Sequence, residues 1–257
     1  MSKRTMCFVK RNLLEMSKDP LSYIFCLAFP LVMLVIMSIV NASIPEEAGM
    51  SLFRIDNLAG GIVIFGQTFV MLFSALNVTK DRSGSFLIRL FVSPMKGGDF
   101  TGGYIIPMLI VSFLQSLISF AAAYVIALIT GFDLSIAGLL ICSVAVLPSA
   151  LMCTAIGFLF GTLFNEKSAP GICSLIISLG SFLGGIWFDA EGVGGIIEKI
   201  SKCTPFFYAT KLARSVIRLD FGVDTFVVPL AVVTGTAAVL TALSCWVFAG
   251  RMRADLA

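Results

Sequence analysis

Six stretches of the chain hold no charged residue: 20–45, 57–79, 100–132, 134–165, 168–188 and 225–250. They take up 161 of the 257 residues, and all 33 formal charges fall in what remains. A helix rises about 1.5 Å per residue, so a hydrocarbon layer about 30 Å thick needs roughly 20 apolar residues per crossing. Each stretch meets that length. The blocks are continuously apolar rather than alternating, which favours helices over the strands of a barrel. The pattern therefore predicts an all-α membrane protein with six transmembrane helices, near 21–40, 58–78, 104–130, 135–164, 169–188 and 226–249. The whole chain, 1–257, reads as a single transmembrane domain. Pro30, Pro107 and Pro148 are expected bend points within it.

The segments between the blocks carry patterns of their own. In residues 1–19, Met6, Val9, Leu13 and Met16 recur at helical spacing, with Lys3, Lys10 and Arg11 off that stripe. This predicts an N-terminal amphipathic interfacial helix, stopped at Asp19-Pro20. The segment is too long, and Glu15 and Asp19 too acidic, for the start of a signal peptide. Between spans two and three, residues 80–96 predict a short helix capped by Ser83 or Ser85 and ended by Pro94. Phe86, Leu87, Leu90 and Phe91 share one of its faces. That face either lies on lipid or meets a partner surface. Residues 189–224 predict two outer half-helices broken at Pro205, entering the membrane and returning. Ile196, Ile197 and Ile200 line the first; Tyr208, Leu212, Val216 and Leu219 line the second, with Lys211, Arg214 and Arg218 on another face.

Charge placement orients this scheme. Six crossings put both termini on one side, and that side collects 12 of the 18 Lys and Arg residues. Positive charge favours the cytoplasm, so both termini are expected there, in a multi-pass protein of a bacterial-type cytoplasmic (inner) membrane. A net charge of +3 gives no footing for nucleic acid. The chain has no His, which removes the commonest general base and metal ligand. Its seven Cys show no CxxC spacing, and five sit in apolar runs, as small packing residues do. No phosphate-binding GxxxxGK[ST] loop occurs, and no carboxylate pair lies at membrane depth. No catalytic, cofactor-binding or metal site is expected in this chain.

Within the blocks, Gly157-xxx-Gly161 and Gly180-xxx-Gly184 each place two glycines on one helix face, where another helix can come close. Gln67 and Gln115 are the largest polar side chains at mid-span. They either line a path or bond across helices. No block holds an ionisable carboxylate or cation, which argues against ion coupling.

Three motifs, in order between the spans, are similar to those of one family. The first is the amphipathic start ending in Lys18-Asp19-Pro20, followed by a span holding Pro30. The second runs from Asp81-Arg82 through Arg89-Leu90-Phe91-Val92-Ser93-Pro94. The third is Thr204-Pro205-Phe206-Phe207-Tyr208-Ala209-Thr210-Lys211-Leu212-Ala213-Arg214. Together they resemble the membrane (permease) subunit of a type-two ABC export transporter. Ser83 stands where the family usually has Glu, Thr204 where it has Asn, and Lys211 where it has Asp.

The resemblance implies that residues 80–96 form a cytoplasmic coupling helix seated in a groove of a separate ABC ATPase subunit. Arg82, Phe86, Leu87, Arg89, Leu90, Phe91 and Pro94 would make that contact. It implies an outer gate at Pro205, Phe206, Phe207, Tyr208 and Arg214, and a pathway to which Gln67 and Gln115 are candidates. It further implies a second permease copy, with ATP and Mg bound by the partner ATPase. The expected function is export of an amphipathic small molecule, peptide or lipid-like compound, in the manner of a multidrug exporter. A polysaccharide export permease, a non-transporting scaffold or immunity protein, and an ion-coupled carrier are the rival readings.

Overall fold

The computed structural model describes residues 3–44, 52–84, 97–188 and 190–254. Helices dominate, and no strand occurs among the described residues. The centre is a helix over Ile55–Ser83, buried almost throughout. Along the chain the helices are α1 (Lys3–Ser17), α2 (Pro20–Tyr23), α3 (Phe29–Ser43), α4 (Ile55–Ser83), α5 (Gly97–Thr130), α6 (Ile136–Ala145) and α7 (Leu147–Leu163). They continue as α8 (Ala169–Leu183), α9 (Ala190–Val193), α10 (Gly195–Lys202), α11 (Pro205–Ile217) and α12 (Val228–Ala254). Helix α4 packs against α3, α5, α7, α8 and α11, while α12 packs on α7 and α11.

Small residues explain why so many helices reach α4. A methyl group at Gly157 of α7 would overlap the Met71 carbonyl. One at Gly161 would lie 2.7 Å from the Ala75 carbonyl. The first expected glycine pair is thus the contact line between α7 and α4. On another side, Gly60 sits beneath the backbone of Ala213 and Arg214, and lets α11 approach. The second pair faces Phe206 of α11: Gly180 meets its ring, and Gly184 its Cβ and backbone.

The prolines act in three ways. Two π-helical turns, Ile24–Ala28 and Val223–Val227, each end two residues before a proline, Pro30 and Pro229. Proline has no N–H and collides with the carbonyl four residues back; widening the preceding turn relieves that collision. Phe29 N–H accordingly reaches back five residues to Ile24 O, and Val228 N–H to Val223 O. Pro148 marks a break at Val146 between α6 and α7. Pro107 lies inside α5 without interrupting it.

Among the described residues, five helical segments are long and apolar enough to cross a membrane: Ile24–Ser43, Ile55–Ser83, Gly98–Thr130, Ile136–Leu163 and Val223–Arg251. The fifth expected span is the shorter helix α8, 15 residues, or about 22 Å of rise. It ends where Gly185 adopts a positive φ of 69°.

The buried side of α1 differs from the expected stripe. Thr5, Phe8, Val9, Asn12 and Met16 face inward, and Met6 is 56% exposed. The helix packs on α5, where Gly103 leaves room for the Phe8 ring. Polar partners on α5, Asp99 and Gly103, draw Thr5 and Asn12 inward, which apolar spacing alone does not reveal. Cys26, Cys142, Cys153 and Cys173 are buried and unpaired, packing residues as expected.

Candidate functional site

Two polar clusters sit at opposite ends of α4. At the end near α1, the Asp81 carboxylate is 5% exposed and fully partnered. Arg11 donates to both its oxygens, Nη1 to Oδ2 at 2.6 Å and Nη2 to Oδ1 at 2.9 Å. The Tyr104 hydroxyl donates to Oδ2 at 2.7 Å. Such a fork-to-fork pair combines charge with fixed geometry. Burial by itself lowers the Arg11 pKa, but the hydrogen bond and charge of Asp81, with Glu15 beside it, outweigh this and raise it. Arg11 also pairs with Glu15 at 2.7 Å, and Glu15 with Lys80 at 2.8 Å.

The same helix holds the start of α5. Asn12 Nδ2 donates to the Gly103 carbonyl at 2.8 Å, and Thr5 donates to Asp99. Phe8 meets Tyr104 edge to face, with ring centroids 5.0 Å apart. Around them Phe100, Phe158 and Phe248 complete an aromatic cluster. Helix α1 therefore fastens residues 80–81 and residues 99–104, on either side of segment 85–96.

Arg82, expected at a partner contact, is engaged within the chain. Its Nη1 donates to the carbonyls of Gly161, Thr162 and Phe164, 3.0 Å away at Gly161 and 3.2 Å at Phe164. These carbonyls close the C-terminal end of α7, where a helix has acceptors without internal partners and where a cation is favoured. Ser83, expected to cap a following helix, belongs to the last turn of α4 and donates to Lys80 O and to Glu166. The other positions expected at that contact, Phe86, Leu87, Arg89, Leu90, Phe91 and Pro94, lie outside the described residues, as does Ser85.

At the other end of α4, Asp56 is buried between two arginines. Arg54 pairs with it at 2.7 Å and Arg218 at 2.9 Å. Arg218 Nη2 also donates to Asn57 Oδ1 at 2.6 Å. Arg54 lies over the Phe132 ring, 5.5 Å from its centroid. Arg214 Nη2 donates to the Gly185 carbonyl at 2.8 Å and its Nε to the Asn57 carbonyl at 3.2 Å. Arg214 and Arg218 thus bind inward to α4 and to the turn after α8, while Lys211 lies over the Phe207 ring. Pro205 opens α11, Phe206 and Phe207 are buried, and Tyr208 is half-buried with its ring edge-on to Phe207. Phe206 fills the notch at Gly180 and Gly184.

Between the clusters, the two mid-span glutamines are both buried. Gln67 Nε2 donates to the Val146 carbonyl at 3.2 Å, and Ser149 Oγ donates to Gln67 Oε1 at 2.6 Å. Gln67 therefore ties the α6–α7 break to α4. Gln115 lies against Gly66 and donates to Ser119 Oγ at 3.2 Å. Of the two uses open to them from sequence, bonding across helices is what Gln67 makes.

Nothing in the sequence groups Asp81, Tyr104, Asp56, Asn57 and Arg218. Their signal was faint: a carboxylate at each end of one apolar block, with arginines elsewhere to receive them. Among the described residues no group of three His, Cys, Asp or Glu side chains is arranged to hold a metal ion.

No curated protein matches the chain. Residues 4–217 match the family model described as ABC-2 type transporter.

Proposed function

The chain belongs to the ABC-2 type transporter family, and from that premise we propose that it is the permease of an ATP-driven exporter. The family places it as a membrane component of an ABC transporter, a transport part rather than a catalytic one. Its role is to carry an amphipathic small molecule, peptide or lipid-like compound outward across the cytoplasmic membrane. A separate ABC ATPase chain binds ATP and Mg and supplies the work, and a second copy of this chain completes the path. Six crossings, with α8 as a short fifth, leave both termini in the cytoplasm and α10 and α11 as re-entrant outer half-helices.

The observation that carries this reading is the fastening of α1 to both flanks of segment 85–96. A segment that receives force from a partner must be braced, or the force dissipates in loop motion. Asp81 is gripped before it, Asp99 and Gly103 after it, and Arg82 clamps the end of α7. Arg82 thus serves as an anchor for the coupling segment. The ATPase contact itself falls to Phe86, Leu87, Arg89, Leu90, Phe91 and Pro94. At the opposite end, Arg214 and Phe206 hold the outer gate against α4 and α8, while Gln67 and Gln115 stiffen the wall of the path.

The test is co-purification with the ATPase chain. Replacing Phe86, Leu90 and Phe91 together by Asp is expected to abolish recovery of the ATPase while the permease still inserts. Undiminished recovery removes the coupling assignment.

A further inference from the structure

A groove of about 520 Å³ runs between α1, the start of the first span and α5. That volume falls in the range of roughly 300–1,000 Å³ typical of small-ligand pockets. Its polarity is one-sided. The α5 wall is wholly apolar: Ile110, Val111, Leu114 and Ile118. Those residues span two turns of helix, or about 12 Å of rise. The polar lining comes from Lys10 and Ser17 of α1 and from Tyr23 of α2. The Tyr23 hydroxyl donates to Ser17 O at 3.3 Å, which holds the polar rim together.

Lys10 is the cation on the groove lining. Arg11 and Lys80 are paired with Asp81 and Glu15. Lys10 is exposed at the groove, and among the described residues no carboxylate pairs with it. A positive rim above an apolar trough is complementary to an amphiphile with an anionic head.

We propose that this groove holds one anionic glycerophospholipid, its phosphate on Lys10 and an acyl chain along α5. The occupant comes from the leaflet on which α1 rests. It fills the space between α1 and the first span, so the brace of the coupling segment is seated partly on lipid. A Lys at a charged bilayer surface is worth about 1 kcal/mol, so a preference of about fivefold for phosphatidylglycerol over phosphatidylcholine follows.

The full-length chain, extracted from vesicles with equal amounts of the two lipids, is read by native mass spectrometry. One phosphatidylglycerol per chain is expected to be retained, at about five times the amount of phosphatidylcholine. Lys10→Gln is expected to bring the two lipids to parity. Leu114→Trp is expected to displace both, since residue 114 is exposed into the groove and a larger ring there fills it without entering the core. Leu175→Trp, on the outward face of α8, serves as the control and is expected to retain lipid. Helical circular dichroism separates displacement from misfolding, and Leu114→Phe repeats the filling with less bulk. Loss of all lipid from the wild type, equal retention of both lipids, or retention unaltered by Lys10→Gln and Leu114→Trp overturns the proposal. So does splitting of a cross-linkable dimer by Leu114→Trp with bound lipid unchanged, because a second copy then occupies the groove.

Discussion

Glycine at one position of this molecule is a structural necessity and at another a weakness. At 157 a methyl group meets the Met71 carbonyl and the Ser74 side chain, backbone and side chain of a helix that is itself packed on every side. Neither can yield without moving α4. Gly157→Ala is expected to lower stability by about 1–3 kcal/mol, the usual cost of overpacking. At 235 a methyl group meets nothing within 4 Å. There Ala restricts the unfolded chain and favours the helix, and a gain of up to about 1 kcal/mol is expected. Thermal unfolding of the two variants in the same detergent checks the opposite signs. Leu219 is the reverse case, a side chain where glycine fits the backbone better. It closes α11 with φ at 57°, its N–H on Val216 O and the next N–H on Ser215 O. This is the left-handed closing turn that glycine ordinarily supplies. A side chain there costs about 1–2 kcal/mol. Leu219 is 41% exposed, so little packing is lost on its removal. Leu219→Gly is expected to raise the unfolding midpoint; a fall would mean that the leucine packs against something the isolated chain lacks.

Among the elements, α1 has the plainest mechanical assignment. Asp81→Asn removes the charge from a nearly buried carboxylate and leaves Arg11 facing a neutral amide. Because Arg11 is about a third exposed, the loss is expected near 1–3 kcal/mol, below the 3–5 of a fully buried pair. Hydrogen exchange in α1 and at residues 99–104 is expected to quicken while α12 stays protected. Uniform quickening would sink the bracing role. The existence of these helices was legible in the sequence because lipid imposes one rule, that charge stays out of a span. The register of α1 was less legible. Thr5 and Asn12 are buried by bonds to Asp99 and Gly103, and such bonds leave no period in a hydropathy pattern. The inward turn of Arg214 and Arg218 was hidden for the same reason: Arg218 finds its carboxylate 162 positions away at Asp56, and Arg214 bonds the backbone carbonyls of Asn57 and Gly185. The Gly157–Gly161 contact was legible as a face but not as to which helix would fill it.

For the whole molecule, the telling feature is that both clusters are mounted on one helix. Asp56 and Asp81 are 25 residues apart on α4, or about 38 Å along its axis. They share no partner, so their effects on stability are expected to add within about 0.5 kcal/mol. Transport is a different measurement. If α4 carries the movement of the coupling segment to the outer half-helices, then releasing either end already disconnects the two faces. Releasing the second end then costs little more. A cycle of Asp56→Asn, Asp81→Asn and the double variant separates these cases when each is assembled with the proposed ATPase partner in vesicles. The expected result is additive thermal destabilisation with strongly non-additive loss of ATP-driven transport. The rate of the double variant then lies close to that of the worse single one. Losses that multiply in transport as well as adding in stability would mean that the clusters act as separate local fastenings, and that the movement reaches the outer face through α5 or α7 instead.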